Sequence, residues 1–226
     1  MLISVTSYAI FNIKMLLKDK ISLLWSITLP LITFFMNHSN VTSEWDMIFW
    51  WVYIIICAYV YGIGIYALHL KEYGSLKTIF SINNSPWCFF LGNLLTQIIF
   101  SFICVNFLNL VVVMLLPLSF FKLLLYSTIS IIICIPFAFL GYNLTLLKKV
   151  HSNTVQSIFT MAIFGLFVLL NTDSSFNKYN PLYAVANIIL KNDRAGNTIY
   201  FISSVLIIVV SLYAVIKFEP TSNERR

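Results

Sequence analysis

The chain reads as an all-α membrane protein, with six transmembrane helices, an N-terminal interfacial elbow helix and both termini in the cytoplasm. Three observations predict this. Hydrophobic residues make up 60% of the 226 positions and charged residues only 10%, against about 25% charged in an average soluble domain. The apolar residues gather into six segments that are apolar all round, without the alternation of a barrel strand. In hydrocarbon a helix satisfies its own backbone polar groups. Finally, the basic residues divide unevenly between the loops.

The first element, residues 1–20, mixes Ile10, Phe11, Ile13, Met15, Leu16 and Leu17 with Asn12, Lys14, Lys18 and Asp19. Its amphipathicity is imperfect. It is either an interfacial helix that bends into the first span or a cytoplasmic extension of that span. No small-residue cleavage site precedes the first span, so this stretch is expected to be retained.

The six apolar segments are Ile21–Met36, Met47–Leu70, Cys88–Leu116, Leu123–Leu147, Val155–Leu170 and Thr198–Ile216. A helix needs about 20 residues to cross the hydrocarbon. The first and fifth are shorter and must borrow polar flanking residues or lie where the bilayer is thin. Pro30 and Pro136 fall inside spans one and four, where each removes a backbone hydrogen bond and favours a kink. The kink is either static or a hinge. Residues 21–217 thus form the transmembrane domain and residues 218–226 a tail.

With the N-terminus inside, Lys14, Lys18, Lys20, Lys71, Lys77, Lys148, Lys149, Lys217, Arg225 and Arg226 lie on the cytoplasmic side. Lys122, Lys178, Lys191 and Arg194 lie outside. The net charge of +6 therefore reflects topology, and no nucleic-acid module accompanies it.

Spans three and four carry Asn93, Gln97, Asn106, Asn109 and Asn143. Asn93 and Gln97 are four apart and share a helix face. Such groups either hydrogen-bond between helices or line a pathway. The outer segment 171–197 contains Asn180-Pro181-Leu182 and an apolar-rich stretch to Leu190, too short to span. It suits an interfacial or re-entrant helix starting at Pro181.

Several chemistries are excluded. There is no GxxxxGK[ST] loop, no GxSxG and no HExxH. Cys57, Cys88, Cys104 and Cys134 fall in or beside apolar spans, with no CxxC spacing, and neither they nor the histidines make a metal set. No charged residue lies deep in a span, which removes the usual marks of proton relays and ion-coupled carriers. The chain is not expected to be an enzyme.

The segment 71–87, Lys71-Glu72-Tyr73-Gly74-Ser75-Leu76-Lys77 followed by a run to Pro86-Trp87, lies between two long spans and must face water. Leu76, Ile79 and Phe80 fall at helical spacing. Here the chain resembles the ABC-2-type membrane subunits, the permeases of ATP-binding-cassette exporters. That family often shows Arg-Glu, then Gly-Thr-Leu, a charged residue, an apolar patch, a Ser-Pro turn and a glycine early in the next span. Lys71 replaces the arginine and Ser75 the threonine; Glu72, Gly74, Leu76 and Lys77 fit, and Gly92 lies 18 residues after Gly74. The usual turn proline is missing: Asn83 stands near its place, and Pro86 follows three residues later. Lys18-Asp19 before Pro30, and Asn180-Pro181-Leu182 before the last span, are weaker matches.

The resemblance implies a multi-pass subunit of a bacterial cytoplasmic membrane. It would pair with a second permease, itself or a relative, and with a separate cytoplasmic ATPase carrying ATP and Mg. Residues 73–84 would form a coupling helix. Glu72, Tyr73, Gly74, Ser75, Leu76, Lys77, Ile79 and Phe80 would meet the ATPase, the apolar three as a docking face and Glu72 and Lys77 through rim ion pairs. Lys14, Lys18 and Asp19 would belong to the elbow helix. A route without deep charges favours amphipathic or hydrophobic cargo, such as a peptide, bacteriocin or toxin, a drug or a lipid. The alternative is a non-transport membrane binding protein: an immunity, sensor or assembly factor.

Overall fold

The computed structural model describes residues 2–18, 20–82, 84–147, 150–170, 176–177, 180–191 and 194–219. Among them every regular element is a helix. In order these are α1 (Leu2–Lys18), α2 (Lys20–Asn37), α3 (Ile48–Tyr59), a π-helical stretch (Val60–Ile65), α4 (Tyr66–Glu72), α5 (Ser75–Ile82), α6 (Pro86–Leu115), α7 (Phe120–Ile133), α8 (Ile135–Tyr142), α9 (Ser152–Leu170), α10 (Pro181–Lys191) and α11 (Arg194–Ile216), with short 3-10 turns at His38–Asn40, Glu44–Met47 and Asn143–Leu146.

Among the described residues five helical stretches are long and apolar enough to cross a membrane: Glu44–Glu72, Pro86–Leu115, Phe120–Leu146, Ser152–Leu170 and Gly196–Ile216. The first expected span, Ile21–Met36, coincides with α2, which is not among the five. The side chains of residues 20–26, like those of Leu17 and Lys18, lie outside the description, as does Asp19 altogether. The fifth span gains length by starting at Ser152, so that Ser152, Asn153 and Thr154 join its first turn.

Glu44–Glu72 is the axis of the bundle. In its most apolar window 72% of residues are buried inside the chain, against 17% in that of Ser152–Leu170 and 22% in that of Gly196–Ile216. The latter two leave Ile158, Met161, Phe201, Leu206 and Val209 exposed. A bilayer would cover this apolar surface at no cost, whereas water would not.

Close backbone approach organises the packing around the axis. A Cβ on Gly64 would lie 2.0 Å from the Gly141 carbonyl oxygen, so the π-helical stretch and α8 touch backbone to backbone. Small residues serve this purpose where helices meet in lipid. Gly92 does the same for α1, because its added Cβ would meet Tyr8 at 2.5 Å. Val5, Tyr8, Ala9 and Asn12 recur at helical spacing and face Phe89, Gly92, Asn93 and Thr96. The N-terminal helix is therefore packed along α6, with Ala9 and Asn12 buried and Lys14 exposed.

Pro136 interrupts span four between α7 and α8. The break disturbs the backbone ladder, and two tyrosines from other helices reach it. Tyr59 Oη donates to the Ile131 carbonyl at 3.0 Å, and Tyr200 Oη to the Ile133 carbonyl at 2.5 Å. Pro30, by contrast, sits inside the unbroken helix α2.

Helix α10 starts at Pro181, as the sequence predicts. Asn180 caps it, its Oδ1 accepting from Leu182 N, while its Nδ2 donates to the Leu166 carbonyl at the end of α9. Leu182, Val185 and Ala186 are buried, and Tyr183 stacks on Phe49 near the start of α3.

Candidate functional site

Two groups of functional interest lie on the axis helix. The first is at its Glu72 end. The last turn of α4 closes on Gly74, whose φ of +71° suits glycine and turns the chain into α5. Ser85 then caps α6 by accepting from Cys88 N, with Pro86 in the first turn. The water-facing segment is thus a short helix held between two tight turns.

Lys71 and Glu72 point in opposite directions from the root of α5. Lys71 Nζ donates to the Thr145 carbonyl at the end of span four (3.3 Å) and lies 6.0 Å from the Phe218 ring. Glu72 Oε2 accepts from the Ser152 amide at 2.8 Å and from the Ser152 hydroxyl at 2.5 Å, and Oε1 lies 2.7 Å from His151 Nδ1. A cation thus meets a helix C-terminus and an anion meets the N-terminus of α9, each with the favourable sign. The Ser152 hydroxyl first, then the His151 ring and the Ser152 amide, hold the Glu72 carboxyl far below its usual range, at about 2.

Two groups expected to meet a partner make contacts within the chain. Glu72 is hydrogen-bonded to Ser152 and His151. The apolar face of α5 is likewise turned inward: Leu76 is 0% exposed and Phe80 5%, with Ile79 half-buried. Phe80 packs against Phe89 and Phe218, at 5.8 and 5.9 Å between ring centroids. Phe218, placed in the tail by the sequence reading, is part of this aromatic cluster, while residues 220–226 lie outside the description. What α5 presents outward is Ser75, Lys77, Thr78, Ser81 and Ile82, together with Tyr73 before it; Ile82 is 85% exposed and Tyr73 60%. The helix spans Ser75–Ile82, shorter than the expected 73–84, and Asn83 lies outside the description.

The second group is a cavity of about 390 Å³ flanking the half of the axis helix nearer Glu72. Ile54, Cys57, Ala58, Tyr61 and Ile65 form its back wall. Asn12, Met15 and Leu16 of α1 and Asn93, Gln97 and Phe100 of α6 line one side, and Gln156 of α9 the other. Asn12 Nδ2 donates to Asn93 Oδ1 at 2.5 Å, and Tyr66 Oη donates to Asn12 Oδ1 at 3.4 Å. Gln97 Nε2 donates to the Gly62 carbonyl at 3.4 Å, inside the π-helical stretch. Insertions of this type recur at functional sites.

The five polar residues singled out from sequence therefore separate. Asn93 and Gln97, four apart on one helix face, both line the cavity. Asn109 holds helices together, accepting from Trp51 Nε1 at 2.8 Å and donating to Ser127 Oγ at 3.3 Å. Asn106 donates to the Phe102 carbonyl of its own helix. Asn143 starts the short 3-10 turn after α8, away from the cavity. Sequence reasoning missed Asn12 as the partner of Asn93, and Tyr66 and Gln156 as further lining residues, because nothing in the sequence registers α1, α4 and α9 against α6. Among the described residues no group of three or more His, Cys, Asp or Glu could hold a metal ion.

No family model, curated protein or solved structure matches the chain.

Proposed function

We propose that this chain is the transmembrane permease subunit of an ATP-binding-cassette exporter, driven by a separate ATPase that carries ATP and Mg. In this reading α2 is a sixth span and both termini are cytoplasmic. A second permease completes the pathway, and the cargo is amphipathic or hydrophobic: a peptide or bacteriocin, a drug or a lipid.

One observation supports it above the others. A short helix, α5, is anchored by Leu76 and Phe80 on one side and exposes Tyr73, Lys77, Thr78 and Ile82 on the other. Its root is tied through Lys71 to span four and through Glu72 to span five. A push on the exposed face would reach several spans at once and move them as rigid bodies. The docking face in this proposal is the exposed one, which replaces Leu76, Ile79 and Phe80 as partner contacts.

The test is ATP hydrolysis by material co-purified from the native membrane with the tagged chain. Activity that falls to background with Ile82→Asp, while the chain itself stays folded, supports the reading. Unchanged activity with that variant removes α5 as the coupling element. The cavity favours the second reading, a membrane protein that binds a ligand without transporting it; recovery of the chain with no ATPase would support that.

A further inference from the structure

The cavity beside the axis helix carries an unmet hydrogen bond. Asn93 is 1% exposed, and its Oδ1 is satisfied by Asn12. Its Nδ2 is buried and has no partner. A buried amide donor left unpaired carries a desolvation penalty, and Asn93 lines a space large enough for a small molecule. Among the described residues lining that space there is no Asp, Glu, Lys or Arg, and its surface is mostly apolar. It would therefore accept an uncharged ligand and penalise an ion.

The access route narrows the class further. Helices α1 and α9 both contribute to the cavity lining, Asn12, Met15 and Leu16 from one and Gln156 from the other. Each exposes apolar residues, Ile10, Phe11 and Met15 on one and Ile158 and Met161 on the other. A ligand entering between these two apolar faces would come from hydrocarbon. His69 and Gln156 lie at the rim and are exposed.

We propose that this cavity is a binding site for an uncharged acyl lipid, which enters from the bilayer and presents an ester carbonyl to Asn93 Nδ2. The acyl chain lies along Ile54, Ala58 and Phe100. Asn12 and Tyr66 hold the Asn93 amide in the orientation that leaves its NH2 group facing the ligand. The site is built within one chain, so the proposal does not depend on an ATPase partner.

The experiment uses the purified full-length chain in lipid nanodiscs and two photoreactive probes. One is a diacylglycerol carrying a diazirine in its acyl chain; the other is an alkane of the same length with the same diazirine. Cross-linked peptides are mapped by mass spectrometry. The diacylglycerol should label peptides covering residues 54–66 and 93–100 above the exposed face of α11, and Asn93→Leu should cut that labelling by about tenfold, the scale of one buried hydrogen bond. Alkane labelling should be little changed by Asn93→Leu. Ala58→Phe fills the cavity without touching the Asn12–Asn93 pair and should block both probes; it decides the matter if Asn93→Leu does not fold. Equal labelling of wild type and Asn93→Leu by the diacylglycerol would overturn the carbonyl contact. Cavity labelling that survives Ala58→Phe would overturn the site.

Discussion

Glu72 receives two hydrogen bonds from Ser152, one from the backbone amide and one from the hydroxyl, across 80 residues of chain. This pair joins the root of α5 to the first residue of α9. Replacing Glu72 with glutamine removes the charge at the helix N-terminus and should cost about 1–2 kcal/mol. Replacing it with lysine should cost more, by adding a repulsive charge there. Thermal unfolding of the purified variants reads both.

The same pair has a pH signature. The Glu72 carboxyl is held at about 2, below its ordinary value near 4.5. A depressed carboxylate contributes stability that is fully present above the ordinary value and is lost as pH falls through the lowered one. The stability advantage of wild type over Glu72→Gln should therefore hold at pH 7 and shrink between about pH 4.5 and 2. An advantage that fades well above pH 5 would assign it to another group.

The break at Pro136 depends on hydroxyls from elsewhere. Tyr59→Phe and Tyr200→Phe each leave a carbonyl of α7 short of a donor and should each destabilise the chain by about 1 kcal/mol. In a Pro136→Ala background, where the backbone can restore its own ladder, both penalties should fall. A double-mutant cycle on melting temperatures measures the difference.

The sequence makes the helical class legible through composition, and the start of α10 through Asn180-Pro181. The shared position of Asn93 and Gln97 follows from helical periodicity alone. Periodicity also marks Leu76, Ile79 and Phe80 as one face, but it does not say whether that face meets a partner or the chain's own Phe89 and Phe218. The intrachain bond of Glu72 is hidden for the same reason, since Ser152 is 80 residues away. The π-helical stretch has no pattern of its own beyond Gly62 and Gly64. The cavity depends on the register of α1 against α6, a tertiary fact set by Gly92 and Ala9 rather than by any motif.

Gly62 gives a direct test of that packing. A Cβ there would fall 2.1 Å from the Gln97 side chain. Gly62→Ala should cost about 1–3 kcal/mol through overpacking, and Gln97→Ala should recover part of the loss in the double variant. Additive losses would mean that the two side chains do not compete for the same space.

In the proposed function α5 is a coupling helix whose exposed face, not its apolar face, meets an ATPase. Co-purification of wild type, Ile82→Asp and Leu76→Ala from the native membrane, each with its melting temperature, tests this most directly. The account predicts a P-loop ATPase recovered with wild type and lost with Ile82→Asp at unchanged stability. It predicts that Leu76→Ala lowers the melting temperature, as expected for a buried leucine. An ATPase retained by Ile82→Asp, or no ATPase recovered with stable wild-type protein, would contradict it.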